Sequence, residues 1–466
     1  MKRLLSIFFR TENRFIHLIW GLIPSIMLFF VGIYYIRLYH NNKYFQNPNI
    51  FNSSFPISYL FLTFLIIILF LYLIFYSFIL LKSKIKNEFL CIFLLIIICI
   101  PIIMRGPFFQ PPSDPLFHAE VMWDFLEKNT FDQENKALIL KSIFATFYLI
   151  YNPDTWSSRI NLLLYFHFFS ITILITSLYV SARLYGLNLK WAIFSVLVFV
   201  LFFGTNLFSY ISYYSLAPSS INMSFIWVIS ALLFKSIFKG MIFLRSHIYK
   251  IIYIYIIGAL VTPILYYNHK QEAAFLFFNF YLAGIIIIFN IIKKKRITNK
   301  NLLILIILSI LFVPSSFLSE HNITIKIFNK QMFEYFSSHI SDYGTPWYFG
   351  KLNGPRVLDT LGLLGFLPLV AILLNFIYSK SYFIIHNKTK NSFYLAMIPG
   401  LLPFWIILIP LNLIIWMKGL NMTLEIFWRF CYMTQFWISI GYIFYKFEIP
   451  AMKSIKRVIP GIGITN

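Results

Sequence analysis

The chain has 466 residues, of which 59% are hydrophobic and only 12% charged, and its formal net charge is +23. Soluble domains carry about 25% charged residues, so this composition excludes an ordinary soluble enzyme. Runs such as "LFLTFLIIILFLYLIFYSFILL" and "LLLYFHFFSITILITSLYVSA" pass the roughly 18 apolar residues that a membrane-crossing helix needs.

The start, "MKRLLSIFFRTENRFIHLIW", is basic and then apolar, and no small-residue cleavage site follows, so it reads as a retained first helix. Apolar stretches near 17–37, 58–81, 89–104, 161–181, 191–207, 217–235, 251–267, 273–292, 302–318, 357–378, 393–416 and 426–445 predict about 12 spans. The expected fold is all-α: a polytopic integral membrane helical bundle forming one transmembrane domain over residues 1–466. Two long connections interrupt it, at 105–160 and 319–356. Cys91, Cys99 and Cys431 lie in or near apolar segments without metal-ligand spacing and read as packing residues.

Basic residues orient the bundle. With the N-terminus inside, the cytoplasmic ends hold 25 of the 39 Lys and Arg residues, including the "KKKR" run at 293–296. Only Glu12, Glu88 and Glu448 of the 16 acidic residues share that side. This is the positive-inside asymmetry. Both termini are expected in the cytoplasm, and the two long loops outside, in a bacterial inner (plasma) membrane. The positive charge then reflects topology and contact with anionic lipids, not nucleic-acid binding.

The first outer loop contains "SDPLFHAEVMWDFLEKN". Ser113 or Asp114 can cap a helix there, and Pro115 suits its first position. At helical spacing Phe117, Val121, Met122, Phe125 and Leu126 form an apolar face, with Glu120, Asp124 and Glu127 opposite. Such a helix lies on the outer surface of the bundle, apolar face down. His118 falls in the middle of that face, with Asp114 one turn earlier. Ionisable groups facing a bundle are costly without a partner, a substrate or water. Asp114 reads either as a cap or as a site carboxylate, and His118 either as a hydrogen-bonded structural histidine or as a site residue. Two ligands at this spacing are thin ground for a metal, and no cofactor is expected.

These residues resemble the membrane-embedded glycosyltransferases of the GT-C superfamily. The resemblance rests on "SDPLFHAEVMWDF" and continues through "NPDTWSSRINLLLYFHFFSITILITSLYVSARLYGLNLKWAIFSVLVFVLF" and "YISYYSLAPSSINMSFIWVISALLFKSIF", over about residues 100–240. The family typically places its acidic loop after the first span. Here it follows the third, so two helices would precede the common core. The resemblance implies transfer of a sugar from a polyprenyl-phosphate-linked donor to a cell-surface glycan or glycolipid acceptor on the outer face. It gives Asp114 the role of general base or positioner of the acceptor hydroxyl, with His118 beside it.

Such chemistry needs cations near the leaving phosphate, where negative charge grows. The outer side offers Arg159, His269, Lys270, Arg356 and Arg429, the last two being ranked first because Arg binds phosphate bidentately. Alternatively, an outer Arg only snorkels to lipid headgroups. "HKQE" at 269–272 joins two apolar runs with almost no loop, so it should be buried in the bundle mouth, its charges satisfying one another. Tyr343 and Trp347 could stack on a sugar face or belong to an interfacial aromatic belt. Two rival functions stand beside this reading: an O-antigen-type polysaccharide polymerase or ligase, and a non-enzymatic glycolipid transporter or flippase. The predicted spans are nearly free of charge at their centres, which favours chemistry at the outer surface over a path through the membrane.

Overall fold

A computed structural model describes residues 14–40, 48–81, 83–104, 118–123, 137–202, 204–205, 208–209, 217–242, 244–294, 438, 441 and 443–444. Nine helices carry most of them. They are α1 (Arg14–His40), α2 (Pro48–Leu81), α3 (Ile85–Met104), α4 (Leu138–Tyr151), α5 (Trp156–Leu184), α6 (Leu189–Phe202), α7 (Pro218–Ile242), α8 (Leu244–Asn268) and α9 (Lys270–Lys294). Between α6 and α7, Gly204–Thr205 and Phe208–Ser209 pair antiparallel. Eight of the helices fall on the first eight predicted spans, and α4 is an additional helix inside 105–160. The spans predicted at 302–318, 357–378 and 393–416 lie outside the described residues. Of the one at 426–445, Phe444 is seen stacked on Trp191 of α6.

Four segments are long and apolar enough to cross a membrane: Tyr59–Leu81, Trp156–Leu184, Pro218–Ile237 and Lys250–Asn268. Large apolar side chains stay exposed along α3, among them Phe89, Phe93, Leu94 and Ile97, and on α1 at Ile23, Ile26 and Phe30. Stripes of this size would be a liability in water and are the ordinary exterior of a bundle in lipid. The chain is a helical membrane protein.

Helix α7 is the axis, buried almost throughout Pro218–Ile237 and packed against α5, α8 and α9. Small polar side chains let its neighbours approach: Ser220 meets Ser170 of α5 at 2.8 Å, and Ser230 accepts from Asn279 of α9 at 2.9 Å. Helix α1 packs on α2 and α8. There Gly21 faces the phenols of Tyr72 and Tyr253 so closely that a Cβ would collide with both. Those two hydroxyls are hydrogen-bonded to each other at 2.5 Å.

Local signals set the helix ends. The side chain of Thr155 accepts from the Ser158 amide and completes a capping box at the start of α5. The same helix stops where Gly186 takes a positive φ of 105°, and the Leu187 amide reaches back to Ala182 O. Asn188 caps α6 by accepting from the Trp191 amide at 3.0 Å.

Candidate functional site

The two ends of the bundle differ in how their charges are settled. At the end that carries the predicted cytoplasmic turns, Glu88 of α3 is buried against Arg183 of α5. Arg183 Nη2 donates to Glu88 Oε1 at 2.7 Å, and Nε donates to both carboxylate oxygens at 3.2 Å. Tyr179 donates to Glu88 Oε2 at 2.6 Å, and Arg183 Nη1 donates to Leu187 O at 2.5 Å. Burial raises the Glu88 pKa, but the hydrogen bonds from Arg183 and Tyr179 and the guanidinium charge outweigh it and leave the value below the usual one. Lys235 of α7 donates to Leu184 O at 3.0 Å. Every oxygen of this carboxylate is engaged, as in a structural lock.

At the opposite end, α4 begins inside the bundle. Its first nine residues are buried, including Lys141 at 1% exposure. No side chain of its own caps this start. Instead Asn268, the last residue of α8, presents Oδ1 to the amides of Ile139 and Leu140 at 3.1 and 3.2 Å. Asn268 Nδ2 donates to Asn222 Oδ1 at 2.8 Å and to Pro218 O at 3.1 Å. Asn222 Nδ2 in turn donates to Leu265 O and His269 O at 2.9 and 3.0 Å. Two amides thus tie the starts of α4 and α7 to the corner between α8 and α9, so three helix N-termini converge where α8 ends.

The corner is "NHKQE". His269 Nδ1 is paired with Glu272 Oε2, one turn on in α9. Glu272 is 0% exposed and His269 is 24% exposed. Lys270 lies over the ring of Tyr266, with Nζ 5.5 Å from its centroid. Glu272 Oε1 and Gln271 Oε1 are buried and without a hydrogen-bond partner among the described residues.

Residues 118–123 are helical, with Ala119 and Met122 buried, Glu120 exposed and His118 half-buried. Trp123 docks this segment on Phe144 and Tyr148 of α4, at ring distances of 5.3 and 6.0 Å. Arg159, in the first turn of α5, places its guanidinium carbon 5.3 Å from the Trp123 ring centre. Of the residues singled out in sequence, His118, Arg159, His269 and Lys270 therefore belong to segments gathered at this one end. Asp114, Arg356, Arg429, Tyr343 and Trp347 lie outside the described residues.

Sequence reasoning passed over Lys141, Asn222 and Asn268. Lys141 is a lone charge within "ALILKSIFATFYLIY", a pattern that signals a buried ion once the segment is read as part of the bundle. Among the described residues no three His, Cys, Asp or Glu side chains are grouped to hold a metal ion. In comparisons with known proteins, no family model matches this chain, no curated protein matches it and no solved structure matches it.

Proposed function

We propose that this chain is a membrane glycosyltransferase that moves a sugar from a polyprenyl-phosphate-linked donor to a glycan or glycolipid acceptor at the outer face. The observation that carries the reading is the gathering of buried Lys141, buried Glu272 and the half-buried His269 paired with it at one end of an otherwise apolar bundle. Holding ionisable groups inside a membrane bundle costs several kcal/mol, so their gathering at one end points to function. A lipid-linked sugar phosphate brings its lipid chain into the bilayer and its anion to this depth. Lys141, Lys270 and Arg159 supply cationic charge on the described side of the mouth. Arg356 and Arg429 remain the assigned phosphate contacts from the later part of the chain, and Asp114 takes or orients the proton of the acceptor hydroxyl. Tyr343 and Trp347 remain the proposed sugar-stacking residues. The orientation with both termini in the cytoplasm and the placement in a bacterial inner membrane belong to the same proposal.

The test uses purified full-length protein in detergent, with radiolabelled polyprenyl-phosphate sugars and the acceptor glycolipid fraction, both extracted from the same cells. Transfer releases polyprenyl phosphate and labels the acceptor. A flippase does neither, because no bilayer separates two sides. Asp114→Asn should abolish transfer at normal protein yield, and Glu127→Gln, which helical spacing in the sequence sets opposite the apolar residues, should leave it unchanged. Label that stays on the donor with wild-type protein would sink the proposal.

A further inference from the structure

We infer that His269 and Glu272 form an acid–base dyad in the outer mouth, with imidazole Nε2 as the proton-accepting atom and Glu272 as its positioning residue. The bland alternative is a helix cap. His269 precedes α9 and Glu272 is its third residue, the spacing of a capping box. In that motif the glutamate reaches back to the backbone N–H of the capping residue. Here that N–H is already committed, since His269 N donates to Leu265 O at 2.8 Å. The carboxylate goes instead to the imidazole ring.

That choice has a chemical consequence. With the Glu272 carboxylate as acceptor, the pairing selects the imidazole tautomer whose proton is on Nδ1. Nε2 then carries the lone pair and is the ring atom left for chemistry. A buried carboxylate behind a partly exposed imidazole also steadies the imidazolium that forms when Nε2 takes a proton. The backbone around the dyad is fixed as well: Asn222 Nδ2 holds the His269 carbonyl, and Asn268 locks the preceding residue to α4 and α7. Glu272 Oε1 and Gln271 Oε1 are both buried and unpartnered among the described residues. This arrangement suits a proton acceptor better than the phosphate contact that sequence assigned to His269, since a ring backed by a carboxylate adds little net positive charge for an anion.

The step rests on the glycosyl-transfer reading. The acceptor hydroxyl, which Asp114 then orients without taking its proton, attacks the anomeric carbon, and the proton passes to His269 Nε2. The new C–O bond forms as the bond between the anomeric carbon and the phosphate oxygen breaks, and that electron pair leaves with polyprenyl phosphate. The imidazolium then returns its proton to water.

Two measurements test the dyad separately from the transfer reading. The first needs no substrate: full-length protein in lipid nanodiscs is pulsed with diethyl pyrocarbonate, and carbethoxylation of His269 is followed by peptide mass spectrometry. His269 should react in the wild type and slow markedly in Glu272→Gln, because a Gln amide can donate to Nδ1 and move the ring proton onto Nε2. Equal rates in the two proteins would overturn the dyad. The second uses the detergent transfer assay. Glu272→Gln should lower kcat by about 10²–10⁴ with little change in KM. His269→Ala should lose transfer and regain it with added imidazole, while His269→Arg, which keeps a cation but no base, stays inactive. Activity in His269→Arg, or transfer by His269→Ala without imidazole, removes His269 as the base and leaves the glycosyltransferase reading standing. Wild-type protein that transfers nothing removes that reading and the proton step, while the carbethoxylation result still reads the pairing itself.

Discussion

Asn268 caps a helix from 129 residues away in sequence: its Oδ1 accepts from the Ile139 amide at 3.1 Å, as well as from Leu140. The cap belongs to the tertiary fold, and the end of the bundle where α4, α7 and α9 begin depends on it. Asn268→Ala would orphan both amides and the Asn222 carbonyl oxygen together. A single polar contact between membrane helices is worth about 0.6 kcal/mol on average, but each orphaned buried group costs about 1–3 kcal/mol. The expected result is a clear fall in unfolding temperature in detergent, with transfer lost alongside it. Asn268→Asp should fall in the same direction, because its carboxylate would face Asn222 Oδ1 and Pro218 O without a proton to give. An unfolding temperature unchanged in both variants would show that α4 does not need this cap.

Gly21 tests the packing of α1. A methyl group there collides with the Tyr253 hydroxyl and the Tyr72 ring, each held by the other's hydrogen bond. Overpacking of this kind costs about 1–3 kcal/mol, against the fraction of a kcal/mol that Ala gains over Gly in a helix. Gly21→Ala should therefore destabilise, although helix propensity alone predicts the opposite. A raised unfolding temperature would mean that α1 sits farther from α2 and α8.

The Glu88–Arg183 lock makes a prediction about pH. The folded-state pKa of Glu88 is lowered by Arg183 and Tyr179. The unfolded chain therefore takes up the proton first as pH falls. The stabilisation from Glu88 is complete above the ordinary carboxylate range and is lost as pH drops through the lower folded value. Glu88→Gln should lose about 3–5 kcal/mol at neutral pH, since Arg183 is left without its counter-ion. Its unfolding temperature should also fall less steeply towards acid than the wild type's. Parallel acid limbs in the two proteins would show that Glu88 is not the titrating group.

Much of this architecture is legible in the sequence because long apolar runs have one stable arrangement in a bilayer, the helix. That is why α1 to α3 and α5 to α9 fall on predicted spans. Helix α4 escaped because "LILKSIFATFYLIY" is too short to span and carries a lysine, features that read as loop when the segment is considered alone. His269 and Glu272 were readable as a pair because they lie one helical turn apart. The Asn268–Asn222 junction and the Glu88–Arg183 lock were not, since their partners are 46 and 95 residues apart and only packing brings them together. The helix expected around Asp114 is described only for 118–123, where buried Met122 and exposed Glu120 fall on opposite sides.

Orientation decides which side of the membrane the dyad serves. The positive-inside reading puts the α2–α3 connection, with Lys84 and Lys86, in the cytoplasm, and the start of α5 outside. Lys86 and Ser157 are both exposed, one near each end of the bundle. In a background with Cys91, Cys99 and Cys431 replaced by Ala, Ser157→Cys and Lys86→Cys can be treated in intact cells with a membrane-impermeant maleimide. Residue 157 should label at once, and residue 86 only after the membrane is permeabilised. Arg159, two residues after Ser157, stacks on Trp123, which packs on α4, and α4 is capped from the corner that holds His269. Labelling at 157 therefore reports the side of the whole mouth. The reverse pattern would place the dyad in the cytoplasm and turn the proposed outer-face transfer into an inner-face reaction, with the positive charge clustered on the wrong side for its lipid contacts.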